Sequence, residues 1–232
     1  AEDLGCFSPT ILIIAVKPQD LSKALDSINF MPTSGHCIAV SVVAGITLAQ
    51  LTKQIDNPDL PIVRVMPNLA AQCLSSATAI VPGPNVSKTA QQLVNDLFKQ
   101  VGITVSLEDE SLLHAVTALS GSGPAYFFQW MSELSNTAQT LGLPKTAADA
   151  LACQTAMGAA QLAQQSNHSW ADLIRSICVK GGTTEAALKA YKRTSGIDEE
   201  RKAAYNETHI KKMMFAAYER SVAIANNHSV ED

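Results

Sequence analysis

Apolar and polar positions follow two different rhythms along this chain. In its first part short, continuous apolar runs recur at residues 11–16, 37–43 and 62–66, with helical patterns at about 20–28 and 47–55 between them. The first run, Ile11-Leu12-Ile13-Ile14-Ala15-Val16, is closed by Lys17-Pro18 and reads as a strand buried on both faces. A strand-helix-strand rhythm of this kind predicts right-handed parallel crossovers, hence half of a doubly wound sheet. Further strands are expected at 77–81 and 103–107, flanking an amphipathic helix from about 88 to 99, so the α/β part should end near residue 107.

From Glu108 onward strand signals vanish. Helical patterns cover roughly 109–118, 124–141, 146–165, 169–178, 184–193 and 199–226, so this half is expected to be all-helical. Punctuation falls at Ser120-Gly121-Ser122-Gly123-Pro124, at Gly142-Leu143-Pro144 and at Gly181-Gly182. Ser169-Trp170-Ala171-Asp172 has the form of a capping box opening the fourth helix. Residues 147–160 are dense in small side chains, which let helix axes approach closely. Two readings stand: the core of an intertwined dimer, or an Ala-rich helix inside one monomer.

Composition narrows the functional classes. At 232 residues and 47% hydrophobic content the chain can bury a sizeable core. With 17 Lys+Arg against 21 Asp+Glu, a formal charge of -4 and no basic block, nucleic acid is not an expected partner. Cys6, Cys37, Cys73, Cys153 and Cys178 are scattered and odd in number, which fits a reducing cytoplasm better than a disulfide framework. The five histidines lack metal-ligand spacing, so no metal is expected. No apolar stretch reaches the ~20 residues needed to cross a bilayer. The first residues, Ala1-Glu2-Asp3-Leu4-Gly5, carry neither a secretory signal nor an initiator methionine, and the chain is expected to be cut there.

Candidate chemistry gathers at the carboxyl ends of the strands, where parallel sheets bind ligands. Ala15-Val16-Lys17-Pro18 puts a cation and a φ-restricted turn there; Lys17 reads either as a phosphate contact or as a solvated turn lysine. Ser41-Val42-Val43-Ala44-Gly45 offers small residues against which a flat cofactor can lie, and Arg64-Val65-Met66-Pro67-Asn68 ends in a turn. Three such ends on one edge favour a dinucleotide site. In the helical half, Ser120-Gly121-Ser122-Gly123-Pro124 reads as a loop with free amides and hydroxyls, or as a tight helix corner. Gly181-Gly182-Thr183-Thr184-Glu185 opens a helix whose unpaired N–H groups suit a small carboxylate, and a plain N-cap is the structural alternative.

Taken together, Ala15-Val16-Lys17-Pro18, Arg64-Val65-Met66-Pro67-Asn68, the stretch from Ala115 to Tyr126 and Lys180-Gly181-Gly182-Thr183-Thr184 resemble pyrroline-5-carboxylate reductase in order and spacing. The likeness runs from about residue 11 to 191. It implies an α/β fold in two parts: a partial Rossmann-type parallel sheet domain over residues 1–107, then an all-helical dimerisation and substrate-binding domain over 108–232. It also implies NADPH or NADH as cofactor, a homodimer or a larger assembly of dimers, and a cytoplasmic setting. In that pattern Ala15, Val16, Lys17, Pro18, Val42, Val43, Ala44 and Ser176 border the cofactor. Glu110, Gly181, Gly182, Thr183 and Thr184 surround the substrate, and Ser120, Gly121, Ser122, Gly123 and Pro124 lie near both. Three departures stand out. The family's opening Gly-x-Gly-x-x segment is outside this chain, Lys180 stands where many members have proline, and residues 192–206 do not match the usual connection before the last helix.

The implied reaction is hydride transfer to a cyclic imine, 1-pyrroline-5-carboxylate, giving proline. Its carboxylate would sit on the amides of Gly181 to Thr183 and its ring nitrogen would face the hydroxyl of Thr184, the expected catalytic residue. For Glu110 a helix-start carboxylate answering the dipole is an equal reading. A β-hydroxyacid dehydrogenase is the nearest rival, but alcohol oxidation needs a general base, and residues 126–141 contain neither Lys nor His. A dimerisation scaffold without catalysis is the alternative of a different class.

Overall fold

The computed structural model describes residues 10–26, 37–194 and 209–227. A five-stranded sheet in the order β1-β2-β3-β4-β5 is built from Thr10–Ile14, Cys37–Ser41, Ile62–Met66, Ser76–Pro82 and Gly102–Ser106. These are the runs the apolar pattern picks out. β1, β2 and β3 are parallel, as are β4 and β5, but β3 and β4 run antiparallel, a correction to a wholly parallel sheet. The cause lies in the connection. Only residues 67–75, including a 3-10 turn at Leu69–Cys73 and Leu74 in the left-handed region, separate β3 from β4, too little chain for a parallel crossover.

Alternate residues of the central strands feed two cores, as the period of two requires. Ala39, Val43 and Ile62 pack with Ile14, Leu21, Leu25 and Leu51 under helices α1 (Leu21–Asp26) and α2 (Leu48–Ile55). Ile38, Val40, Val63 and Val65 pack with Ile80 and Val94 under α3 (Lys88–Lys99). Each such side chain contributes about 1.5–3 kcal/mol relative to exposure. α2 begins at a capping box in which Thr47 accepts from the Gln50 amide and Gln50 accepts from the Thr47 amide. β1 departs from expectation: Ile14 is buried, yet Ile13 is 49% exposed. On that face Ile11 is partly buried against the second core, so the edge strand is open at Ile13 rather than along its length.

The helices follow their expected order. A 3-10 turn, Glu110–Leu112, leads into α4 (Leu113–Val116), then come α5 (Gly123–Thr140), α6 (Lys145–Gln165), α7 (Trp170–Ile177), α8 (Thr183–Thr194) and α9 (His209–Asn227). The expected helical stretches at 27–28 and 199–208 lie outside the described residues. One corner differs. The segment read as a loop at 120–124 is a π-turn, Thr117–Gly121, running into α5 after a bend at Ser122. α5 ends at Gly142, φ 100°, where the Leu143 amide donates back to the Ala138 carbonyl, and the buried Ser135 hydroxyl donates to Asp149 on α6 at 2.5 Å.

By its contacts the chain divides into two compact units, one taking in residues up to Pro124 with those from Met214 onward, the other Ala125–Met213. The later turns of α9 belong to the sheet unit, where Ile224 presses on Gly45, four residues beyond the end of β2. Gly45 has φ +76°, and a Cβ there would lie 2.4 Å from Ile224 Cγ2. Gly45→Ala should therefore lower stability by about 1–3 kcal/mol in urea unfolding, through both backbone strain and overpacking. Adding Ile224→Ala should restore only the steric part; an unchanged midpoint in the single variant would contradict this packing.

Candidate functional site

Two neighbouring strand ends form the first element of the site. Ile14 pairs with Ser41, so Ala15, Val16, Lys17 and Pro18 emerge beside Val42, Val43 and Ala44, and the Val42 amide donates to the Ile14 carbonyl at 3.0 Å. Ala15, Lys17 and Ala44 are exposed while Val43 is buried, which anchors the edge and leaves its backbone approachable. Lys17 caps the nine-residue helical run formed by Pro18–Asp20 and α1, and its extended backbone turns the chain off the sheet. A lysine before a helix N-terminus is chemistry that fits a phosphate. Small side chains at both strand ends fit a flat ring or ribose, so the residues present are compatible with a nucleotide cofactor.

The third strand supplies a charge. Arg64 sits on the α2 face of β3, 8% exposed, and a guanidinium there must be paired. Its Nη1 lies 2.6 Å from Glu110 Oε1, and that oxygen also accepts the Leu48 amide, the first helical residue of α2, at 2.7 Å. Glu110 therefore answers a helix dipole, that of α2 rather than of its own short turn, which Asp109 caps. The Arg64 partnership carried a cue in the sequence: one charge inside the apolar run Ile62–Met66.

Asn68, one residue beyond β3 and Pro67, fixes the π-turn. Its Nδ2 donates to the Ser120 carbonyl at 3.0 Å, and its Oδ1 accepts the Ala70 amide. The π-turn closes where the Ser122 amide donates to the Thr117 carbonyl at 2.8 Å. A π-turn leaves one carbonyl out of the α-helical ladder, and an outside donor that takes it stabilises the irregularity. Ser120, Gly121 and Ser122 are thus held rather than loose; Ser120 Oγ donates to Val116 O at 3.1 Å, and Gly123 and Pro124 begin α5.

His114, which the sequence did not single out, sits on α4 with Nδ1 3.0 Å from Ser221 Oγ and its ring edge-on to Tyr218. Burial, then the charge of Arg64, holds its pKa below the ordinary 6.5, against the opposing pull of Glu110. Neutral His114 therefore joins α4 to α9 at physiological pH.

The remaining candidates lie in the other unit. Ser176, in the last turn of α7, donates to the Leu173 carbonyl at 2.7 Å. Ser169 caps α7 as its sequence foretold, accepting the Asp172 amide. Gly181 has φ +77° and turns the chain into α8; the Gly182 amide donates to the Val179 carbonyl at 2.9 Å. Thr183 and Thr184 are the first residues of α8, where helix geometry leaves N–H groups without intrahelical acceptors. Glu185, not foreseen, accepts the Gly181 amide at 2.9 Å and pairs with Lys189 at 3.2 Å. Among the described residues no cluster of three or more potential metal ligands occurs, and no helix is long and apolar enough to cross a membrane.

Comparison with known proteins places these features in context. Residues 110–222 match the family model for pyrroline-5-carboxylate reductase dimerisation. The chain is 38% identical over 181 residues to the pyrroline-5-carboxylate reductase of Pseudomonas aeruginosa, covering 78% of this chain and 66% of that protein. The reductase of Synechocystis is 33% identical over 201 residues, 85% of this chain and 73% of that protein. Among solved structures, the Coxiella burnetii pyrroline-5-carboxylate reductase superposes with a TM-score of 0.82 at 28% identity, covering 93% of this chain and 76% of that one. The Plasmodium falciparum enzyme, solved with NADP bound, gives 0.77 at 26% identity, covering 93% and 77%. The chain spans 62–66% of the length of the first curated relatives it matches.

Removing the shared acceptor should be costly. Glu110→Ala leaves a nearly buried guanidinium and a helix amide unpaired, and should lower stability by about 3 kcal/mol in urea unfolding, the low end for a broken buried pair because Glu110 is partly exposed. A loss below about 0.5 kcal/mol would demote the contact to an ordinary surface ion pair.

Proposed function

Because the chain belongs to the pyrroline-5-carboxylate reductase family, we propose that the full-length protein reduces 1-pyrroline-5-carboxylate to L-proline with hydride from NADPH or NADH. The observation that carries this reading is the start of α8. Gly181 at φ +77° turns the chain into α8, whose first residues, Thr183 and Thr184, bring helix-start amides and a hydroxyl to one terminus, an arrangement suited to a carboxylate beside a ring nitrogen.

In this mechanism the substrate carboxylate lies at the turn of Gly181, Gly182 and Thr183, on the amides of Gly181 and Thr183, and Thr184 orients the imine nitrogen. Protonation makes the imine carbon electrophilic, so no strong base is needed, and solvent relayed by the Thr184 hydroxyl supplies the proton that ends on the ring nitrogen. The nicotinamide, when bound, supplies the hydride. Ala15 to Pro18 and Val42 to Ala44 would hold the cofactor, with Lys17 toward a phosphate and Ser176 toward the nicotinamide end. The Plasmodium relative with NADP bound supports a nicotinamide cofactor of the phosphorylated kind. Ser120, Gly121, Ser122, Gly123 and Pro124, stiffened by the π-turn, border the reacting groups. Glu110 acts here as a positioning residue that keeps α2 and β3 together.

Residues 108–232 form the substrate-binding and dimerisation part in this reading, and 1–107 the cofactor-binding part. Exposed apolar side chains on α5 to α7, among them Phe127, Leu162 and Trp170, support a homodimer that buries them. Cys37, Cys73, Cys153 and Cys178 are unpaired thiols, which supports a cytoplasmic setting. α5 carries neither Lys nor His, so the base an alcohol dehydrogenase needs is not on it, and imine reduction is favoured over β-hydroxyacid oxidation.

Consumption of NADPH with pyrroline-5-carboxylate, followed at 340 nm for the full-length protein and its Thr184→Ala variant, tests this reading. The variant should fall by about 10- to 100-fold in kcat with its fold intact, within the range for one positioned donor. An unchanged rate removes Thr184 from the mechanism, whereas no turnover by a folded wild type leaves the chain as a dimerisation scaffold.

A further inference from the structure

The amide of Gly181 is already taken, and the group that takes it is a carboxylate. Glu185 is the third residue of α8, where a glutamate ordinarily reaches back to the N-cap amide. Here that amide, Gly182 N–H, is occupied by the Val179 carbonyl at 2.9 Å, so Glu185 reaches one residue further and accepts Gly181 N–H at 2.9 Å. Its side chain is 29% exposed, and the same Oε2 lies 3.2 Å from the Nζ of Lys189, one turn further along the helix and 61% exposed. The Gly181 amide first, and Lys189 after it, hold the Glu185 carboxyl below its ordinary range, so it is an anion at neutral pH.

We propose that Glu185 is an internal carboxylate that occupies the Gly181 amide and yields it to the substrate carboxylate while keeping its pair with Lys189, so that this exchange sets the affinity for the substrate. The inference rests on the reading that the loop receives that carboxylate. A single N–H cannot serve two anions at full strength, and the two carboxylates would repel, so one must leave. Lys189 makes leaving feasible because it already pairs with the same Oε2 at 3.2 Å, so the carboxylate gives up one partner and keeps the other without rearrangement of the backbone. Glu185 is therefore a residue that tunes binding, with no part in proton or hydride transfer.

Removing the competitor and removing its refuge should act in opposite directions. In the full-length protein Glu185→Ala should lower KM for pyrroline-5-carboxylate about 3- to 5-fold, a change in the range of one exposed ionic contact, with kcat little altered. Lys189→Met, which strands Glu185 on the amide, should raise KM by a similar factor, again with kcat little altered. A cap that only stabilises α8 would instead give a raised or unchanged KM in Glu185→Ala together with a lower Tm, and that result overturns the proposal. Calorimetric titration with tetrahydrofuran-2-carboxylate, a non-reactive ring carboxylate, separates this failure from that of the site itself. Tighter binding to Glu185→Ala supports the exchange, and equal binding to both forms refutes it. If neither form binds the probe, the loop is not a carboxylate site and the exchange falls with it.

Discussion

One carboxylate oxygen holds the sheet unit together. Glu110 Oε1 receives both the Arg64 guanidinium from the centre of the sheet and the Leu48 amide at the head of α2. The arrangement solves three problems of charge and valence at once: a buried cation is neutralised, an orphan helix donor is satisfied, and the segment entering the helical half is pinned to the strand ends. Because Glu110 opens the turn before α4, its position also fixes where His114 meets Ser221 and where the π-turn meets Asn68. The edge proposed to hold the cofactor is therefore built on a fixed frame, and its exposed residues, Ala15, Lys17 and Ala44, can be small or mobile without loss of register.

The helical unit is organised differently. α6 buries Ala148 and Ala152, yet Leu151 and Met157 are exposed and Leu162 is 65% exposed; on α7 Trp170 is 82% exposed. Apolar surface of this extent calls for a cover, and a second copy of the chain is the cover that the family match over residues 110–222 suggests. The small residues of α6 then have a purpose beyond helix propensity, since they permit close approach of another helix. Stability of this unit would be inseparable from protomer concentration.

Much of the architecture was legible because it rests on local patterns. Continuous apolar runs gave the five strands, and Ser169 and Gly142 gave helix ends, since caps and turns are decided within a few residues. Features decided over long sequence distances were not legible. The π-turn at 117–121 depends on Asn68, 52 residues from the carbonyl it satisfies; the direction of β4, by contrast, follows from the short connection after β3, which an apolar run alone does not report. The glycines at 121 and 123 therefore suggested a loop where the backbone stays helical. His114 and Ser221, 107 residues apart, leave no local trace. Glu110 was ambiguous for the same reason: its partners lie on α2 and β3, and the solitary Arg64 in an apolar strand was the hint. The turn at Gly181 and the start of α8 after it were readable from the paired glycines, whereas the acceptance of the Gly181 amide by Glu185 followed only from the conformation, in which the usual capping amide is already used.

In the proposed reaction a hydride passes from the nicotinamide to the ring carbon of a cyclic imine carboxylate. Reaction of the full-length protein with pyrroline-5-carboxylate and NADPH carrying deuterium at the transferable C4 position, with the product weighed by mass spectrometry, tests this most directly. The account predicts L-proline heavier by one mass unit, with the deuterium on C5. Unlabelled proline, or no proline from a folded protein, would contradict it.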